Sequence, residues 1–171
     1  MNRTPKNEKD ALLLLASLCA QAEHCPQEMI DKMDKWEMDE GTQARIMEYL
    51  TKNRYIDEER YTRAFVADKI KYNKWGRRKI EQALWMKHID EDIKNRVLAE
   101  VPDEDYIAAL APLIVAKKKS VKGRNGYEKK MKLMKWAAGR GFDMEIIRQC
   151  IDREEDSDAP GFHDDDNLMW D

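Results

Sequence analysis

The fold is decided between residues 55 and 89, which read YIDEERYTRAFVADKIKYNKWGRRKIEQALWMKHI. Asp57 can accept hydrogen bonds from the free backbone N–H groups of a helix start. Glu58 and Glu59 follow it, and their negative charges suit the positive end of the helix dipole. The pattern therefore predicts a helix that begins at Asp57.

The rest of this stretch predicts one helix, a corner and a second helix. Tyr61, Phe65 and Ile70 fall on one face of the first helix, and Gly76 ends the pattern. Apolar residues at helical spacing resume beyond the glycine, at Ile80, Leu84 and Trp85. Basic residues flank the corner, where we expect Trp75 to turn into the core: Lys69, Lys71, Lys74, Arg77, Arg78 and Lys79.

This stretch resembles the RecX family of bacterial recombinase regulators. The family pattern has a hydrophobic residue, Asp, an acidic pair and an aromatic, followed by G-x-x-x-I-x-x-x-L-x-x-K-G-I. The chain departs from it at His88, where the family has Gly, and at Thr62, where it has Ala. Weaker signs extend the resemblance over residues 8 to 152. The matching residues are Ile56, Asp57, Glu58, Tyr61, Gly76, Ile80, Leu84, Lys87 and Ile89.

Composition predicts an all-α protein. Of the 171 residues, 38% are charged and 42% hydrophobic, with only 7 Gly and 5 Pro, which is typical of helices with thin cores and wide solvated faces. No β-branched run exceeds two residues, and Asn125-Gly126 lies between lysine-rich helical segments rather than alternating strands.

A spacing of four and then five residues between apolar positions recurs and suggests a repeat. Its last positions are 55, 89 and 142, separated by 34 and 53 residues, so the spacing predicts an insertion between Lys117 and Gly126. Each instance precedes an acidic restart, at Asp57, Asp90 or Asp143. The instances are Ile46, Leu50, Tyr55; Ile80, Leu84, Ile89; and Leu133, Ala137, Phe142.

The pattern predicts three modules and a tail: residues 1–56, 57–101, 102–152 and an acidic, disordered 153–171. Helices are expected near 8–24, 26–35, 42–54, 57–73, 77–88, 90–100, 103–119, 126–140 and 143–152. The resemblance implies the same architecture, because RecX-like proteins are tandem three-helix units. In the first module, Glu28-Met29 and Lys32-Met33 are similar to the family's E-L-x-x-K-L helix. We expect an elongated, curved array of about nine helices, with hinges near Asp57 and Pro102.

Charge is strongly separated along the chain, although the net charge is only −3. Residues 117–140 carry ten basic side chains against Glu128 alone, and residues 152–171 carry nine acidic side chains against Arg153 alone. The first segment suits a polyanion, and the second resembles one. One hypothesis is that the tail folds back on Lys117–Lys135 and competes with nucleic acid. The alternative is a solubilising tail that remains unstructured.

Nothing in the sequence indicates catalysis, a cofactor or a metal. His24, His88 and His163 lie in different segments, and neither a phosphate-binding glycine loop nor a G-x-S-x-G motif is present. Two interpretations of His163–Asp166 are a metal site and part of a flexible acidic tail, and we favour the tail. Three cysteines without C-x-x-C spacing indicate neither a disulfide framework nor zinc and favour the reduced cytoplasm.

Basic segments with interleaved aromatics instead favour nucleic-acid binding. The resemblance implies the partner, because RecX-like proteins engage the RecA filament on single-stranded DNA. We expect a monomer, with double-stranded DNA as a further candidate and no membrane as a partner. The resemblance also implies that the chain restrains the filament's ATPase, strand-exchange and coprotease activities. The alternative is a general nucleic-acid binder without RecA specificity. The candidate contacts, chosen by charge, are Arg77, Arg78, Lys79, Lys87, Lys118, Lys119, Lys122, Arg124 and Lys130.

Overall fold

The computed structural model describes residues 4–158, which form nine α-helices and no strand. The all-α fold expected from the sequence is confirmed, and none of the described helices is long and apolar enough to cross a membrane. The last helix continues six residues beyond its predicted end at 152. The helices are α1 (Glu8–Gln21), α2 (Pro26–Lys35), α3 (Glu40–Lys52), α4 (Glu58–Lys71), α5 (Arg77–Met86), α6 (Glu91–Ala99), α7 (Asp103–Lys118), α8 (Gly126–Gly139) and α9 (Met144–Asp158).

Short polar side chains start most of these helices, as the sequence predicts for Asp57. The Asp57 carboxylate accepts a hydrogen bond from the Arg60 backbone N–H at 3.0 Å. Such a bond satisfies one of the backbone donors that a helix start leaves without an intrahelical partner. The residues that cap a helix with their side chains are Asn7, Asp39, Asp57, Asp90 and Asn125.

The helices enclose two separate cores. Helices α1 to α3 bury one cluster around Leu15, Met29 and Leu50. Helices α4 to α9 bury a second cluster that is continuous from Tyr61 to Ile151 and also includes Cys25 from the loop before α2. The second and third predicted modules therefore share one core. A shared core argues against the hinge that we expect from the sequence near Pro102.

The recurring apolar spacing indicates one type of helix end, and it does not indicate which helices of the three modules are equivalent. At each such end one residue has a positive φ and the next residue is apolar, and at four of the five ends this apolar residue donates its N–H back to the last turn. Ile89 N–H bonds to Leu84 O at 3.2 Å, and Met38 N–H bonds to Met33 O at 3.1 Å. The positive-φ residues are Glu37 (55°), Arg54 (59°), Lys74 (55°), His88 (56°) and Gly141 (92°).

This helix end corrects the predicted repeat. The middle helices α2, α5 and α8 carry the equivalent spacing, so the match in the first module ends at Met38 after α2 rather than at Tyr55 after α3. Positions 38, 89 and 142 are separated by 51 and 53 residues, and the predicted 34-residue separation is wrong. The predicted insertion at Lys117–Gly126 is only a seven-residue loop before α8, against five residues before α5.

The second joint, between α4–α6 and α7–α9, is made of main chain. Gly76 N–H donates to Arg140 O at 3.0 Å, and Arg78 N–H donates to Gly141 O at 3.0 Å. A Cβ on Gly76 would lie 2.2 Å from Phe142 N, and a Cβ on Gly141 would lie 2.5 Å from that of Lys79. Gly76, the glycine of the family pattern, is therefore required by close backbone approach, since its own φ of −81° suits any residue.

The first joint, between α1–α3 and α4–α6, is made of polar side chains. Glu28 accepts hydrogen bonds from Tyr61 Oη at 3.2 Å and Lys87 Nζ at 3.3 Å, and its other oxygen lies 2.6 Å from His24 Nδ1. Arg60 Nε donates to Glu23 beside this cluster. Burial raises the pKa of Glu28, but the His24 hydrogen bond and the Lys87 charge outweigh it and hold that pKa below its usual value.

Candidate nucleic-acid interface

Three aromatic rings carry a cation from the residue four positions later. Lys69 Nζ lies 5.3 Å from the centre of the Phe65 ring, and Lys79 Nζ lies 4.6 Å from that of Trp75. The Arg140 guanidinium carbon lies 5.5 Å from the centre of the Trp136 ring. Each distance is within the range at which the negative face of a ring attracts a cation.

These pairs form one continuous feature because the second joint brings them together. The Arg140 guanidinium donates to the carbonyl oxygens of Asn73 and Lys74 at 3.1 and 3.3 Å, which fixes it beside the corner that holds Trp75. Lys79 packs directly against Gly141, the residue after Arg140. We define the cation–aromatic strip as Phe65, Lys69, Trp75, Lys79, Lys117, Trp136 and Arg140.

The tryptophans of the strip serve both the core and the surface. Trp75 and Trp136 are half-buried and pack against the shared core, which agrees with the expectation that Trp75 turns inward. The face of Trp75 is approached by two ammonium groups, since Lys69 Nζ also lies 4.8 Å from its centre. The rings therefore hold cations at fixed places, and fixed cations can meet phosphate groups with less loss of side-chain entropy.

A second basic surface lies where α7 ends and α8 begins, and we call it the basic end. The loop between these helices is tethered by its own hydrogen bonds. Asn125 caps α8, Arg124 N–H donates to Glu128 Oε2 at 3.0 Å, and Lys132 Nζ donates to Lys122 O at 2.7 Å. The basic end consists of Lys118, Lys119, Lys122, Arg124, Lys129, Lys130 and Lys132.

Five of the nine predicted contact residues form ion pairs within the chain. Both Arg77 and Arg78 pair with Asp143 across the second joint, at 2.9 and 3.3 Å. At the first joint, Lys87 pairs with Glu28. These pairs partly neutralise the cations and give them a structural role. The remaining two pairs, at the basic end, join Lys118 to Glu154 and Lys130 to Glu155.

The other four predicted contact residues have no ion-pair partner within residues 4–158. Lys79 belongs to the strip, and Lys119, Lys122 and Arg124 lie exposed at the basic end. The structure therefore separates the predicted set into two surfaces and a group engaged at the joints. Of the seven strip residues, only Lys79 is among the predicted contacts. An aromatic-to-cation spacing of four would have found all the others except Lys117: Phe65, Lys69, Trp75, Trp136 and Arg140.

The described residues present little reactive chemistry. Between residues 4 and 158, no three His, Cys, Asp or Glu side chains gather as a metal site would require. Burial raises the pKa of the Cys25 and Cys150 thiols, which makes them poor nucleophiles. The metal site weighed at His163–Asp166 lies outside the described residues.

Two protein-family models match the chain over most of the helices that form the strip and the basic end. One describes the second three-helix domain of RecX and matches residues 57–98, and the other describes the third three-helix domain and matches residues 103–151. Together they cover more than half of the chain.

Curated relatives and solved structures carry the same family name. The regulatory protein RecX of Chlorobium phaeobacteroides (strain BS1) is 30% identical over 149 residues, which cover 86% of this chain and 95% of the relative. The regulatory protein RecX of Oceanobacillus iheyensis is 29% identical over 77% of this chain but only 49% of its own length. The crystal structure of RecX from Lactobacillus salivarius superposes with a TM-score of 0.77 at 19% identity, covering 86% of this chain and 96% of that one.

Proposed function

The chain belongs to the RecX family of regulatory proteins, and we propose that it binds RecA filaments on single-stranded DNA and restrains them. The activities to be restrained are ATP hydrolysis, strand exchange and coprotease action, in recombination, DNA repair and the SOS response. The observation that supports this proposal is the cation–aromatic strip, which crosses the second joint at the family's own glycine.

The strip suits a polyanion because its cations are held in place before binding. Lys79 has no ion-pair partner in the described part of the chain, and its ammonium group is positioned over Trp75. Arg140 is positioned by two carbonyl oxygens and by Trp136. Neutralising phosphates with such cations releases counterions, which favours binding and makes it dependent on salt.

The linked modules suit a filament because a filament repeats the same site. Once one surface is bound, the tether raises the effective concentration of the others, so individually weak contacts suffice. The shared core holds the strip and the basic end on one body, while the first joint connects α1–α3 only through side chains and Cys25. Bound across neighbouring protomers, the chain would oppose their rearrangement, and it would need no chemistry of its own.

The test is single-stranded-DNA-dependent ATP hydrolysis by the RecA of the same organism, titrated with this protein at fixed salt and with DNA in excess. We expect suppression at well below one protein per RecA protomer, because competition for abundant DNA cannot act at that ratio. Suppression that begins only when the protein coats the DNA would contradict the proposal.

A charge-reversed variant connects the activity to the proposed surfaces. Replacing Lys79, Lys119, Lys122 and Arg124 by Glu should abolish suppression, since these four are the predicted contacts without an ion-pair partner within residues 4–158. The matched control replaces four exposed cations outside both surfaces, which changes the net charge equally and should leave suppression intact. The control residues are Lys9, Lys35, Lys52 and Arg148.

The second candidate is a general nucleic-acid-binding protein that does not recognise RecA. The basic end favours it, because Lys119, Lys122 and Arg124 form an exposed cationic surface that needs no protein partner to explain it. This candidate predicts that affinity for bare DNA falls steeply with salt and that ATP hydrolysis falls only in proportion to the DNA covered.

A further inference from the structure

Helix α9 continues beyond the core and across the basic end. Ile151 is its last buried residue, yet the helix runs on to Asp158. Its acidic extension pairs with the ends of both neighbouring helices: Glu154 and Asp158 with Lys118 of α7, and Glu155 with Lys130 of α8. An acidic segment of the chain therefore already occupies part of a surface that suits nucleic acid.

A small apolar cavity lies directly beside these ion pairs. Its volume is about 200 Å³, and its lining includes Lys118, Lys129 and Glu155. A cavity of this size is smaller than the roughly 300–1,000 Å³ of small-molecule sites, so it suits a single bulky side chain. Its apolar lining comes from all three helices and the loop: Ile114, Val121, Leu133 and Ile151.

The chain beyond Asp158 carries acidic residues that can pair with the basic end and large apolar residues that can fill the cavity. Three acids, Asp164 to Asp166, are followed by Leu168, Met169 and Trp170. Trp170 is twelve residues beyond Asp158, and at about 3.3 Å per residue this length is ample for a return to a cavity that α9 itself lines. At the basic end, Lys119, Lys122, Arg124 and Lys129 have no ion-pair partner within residues 4–158.

We propose that residues 159–171 dock in cis on the basic end and act as an internal competitor for nucleic acid. Asp164 to Asp166 pair with Lys122, Arg124 and Lys129, and Trp170 enters the apolar cavity between α7, α8 and α9. The extension of α9 directs the segment, because its ion pairs hold the start of the tail against Lys118. The inference rests on the proposed function in one respect: the basic end must be a surface that nucleic acid uses.

The contact can be measured without DNA. In the full-length protein at about 50 mM salt, a zero-length carbodiimide should cross-link Asp164, Asp165 or Asp166 to Lys122 or Lys129 within one molecule, as mapped by mass spectrometry. The links should fall at about 500 mM salt, where charges are screened within a few ångström. Links that are missing, or that form only between molecules and disappear on dilution, would overturn the inference.

The competition is measured with the variant D164N/D165N/D166N. Its affinity for single-stranded oligonucleotides should rise on the order of tenfold at about 50 mM salt and match the wild type at about 500 mM. The matched control E48Q/D68N/D92N removes three exposed acids elsewhere and should raise affinity much less. Equal effects of the two variants would show that net charge alone acts, and would overturn the competition.

Trp170→Ala tests the contribution of the cavity separately from that of the charges. It should weaken the cross-links and raise DNA affinity at every salt concentration, because apolar burial is not screened. An acidic protein partner on the basic end, rather than the tail, would leave the cross-links absent and the variants silent. If neither wild type nor variant binds DNA while the cross-links form, the competition and the nucleic-acid role of the basic end are overturned, and the docking contact stands.

Discussion

The two joints of this molecule connect the same kind of three-helix module in opposite ways. At the first joint, Glu28 reaches across to Tyr61 and Lys87, and α1–α3 keep a core of their own. At the second joint, Gly76 and Gly141 place two backbones in contact above a shared core. A side-chain joint can open while both modules stay folded, whereas a main-chain joint over a common core opens only when that core is disrupted.

The difference assigns separate tasks to the two halves of the chain. The helices α4 to α9 form one body that fixes the strip and the basic end relative to each other. The helices α1 to α3 can change their angle to that body at the cost of a few polar contacts. Changes at the second joint should therefore affect stability, and changes at the first joint should affect geometry.

The largest expected effect comes from Gly76→Ala. Its Cβ would lie 2.2 Å from main-chain atoms of Gly141 and Phe142, and main chain cannot rotate away as a side chain can. We expect the free energy of unfolding to fall by at least about 3 kcal/mol, measured by urea denaturation. The matched control is Gly139→Ala, which meets nothing within 4 Å and should be neutral or slightly stabilising. Similar losses of stability in both variants would show that the close backbone approach at the second joint is not the cause.

A smaller effect is expected from Glu28→Gln at the first joint. The amide loses the charge attraction of Lys87, and we expect a loss of about 1 kcal/mol at neutral pH. Small-angle scattering should also show a wider distribution of shapes without loss of helix content. The exposed Glu48→Gln is the control and should change neither measurement. A variant as compact as the wild type would break the comparison between the joints.

The pH dependence follows from the same carboxylate. The pKa of Glu28 is lower in the folded protein than its ordinary value of about 4.5, so the contribution of Glu28 to stability is fully present above that value. It is lost as the pH falls from there through the folded pKa. Between pH 7 and pH 3, the wild type should therefore lose more stability than Glu28→Gln, and parallel curves would contradict this account.

The smallest effect is expected from His88→Gly, which restores the family's residue beside the first joint. His88 has φ 56°, a conformation that disfavours a side chain, and glycine relieves this strain at an entropic cost in the unfolded chain. We expect a net gain below about 1 kcal/mol in thermal unfolding. Arg54→Gly, at φ 59°, is the matched control and should gain a similar amount. A clear loss in His88→Gly alone would indicate that the imidazole has a role of its own.

Local features of the fold were predictable because their causes lie within a few residues of sequence. The cap at Asp57 and the buried positions Ile80 and Leu84 of α5 depend on near neighbours, and the structure confirms them. Trp85, which the same spacing placed with them, is 66% exposed instead. The sequence pattern matches the wrong helix of the first module, because a positive-φ helix end produces the same apolar spacing wherever it occurs. It ends α3 as well as α2, so the spacing alone cannot identify the middle helix of a module.

The candidate site was predictable in its charges but not in their pairing. The sequence shows that Arg77 and Arg78 are basic but not that Asp143, more than sixty positions away, lies against both of them. The strip escaped prediction for a similar reason, since its two halves meet only through the second joint. Thr62 illustrates a local solution that a family comparison does not show: it is fully buried, and its hydroxyl donates to Glu58 O at 2.7 Å.

The second joint also has a consequence for how this molecule can change by mutation. A joint made of ion pairs can lose one partner and regain attraction through a new charge nearby, so many routes of substitution remain open. The joint at Gly76 is encoded by a missing side chain, and every substitution of glycine adds at least one carbon atom where two backbones already touch. The charged residues around this joint can be substituted one at a time, while the angle between the two modules that positions them stays the same.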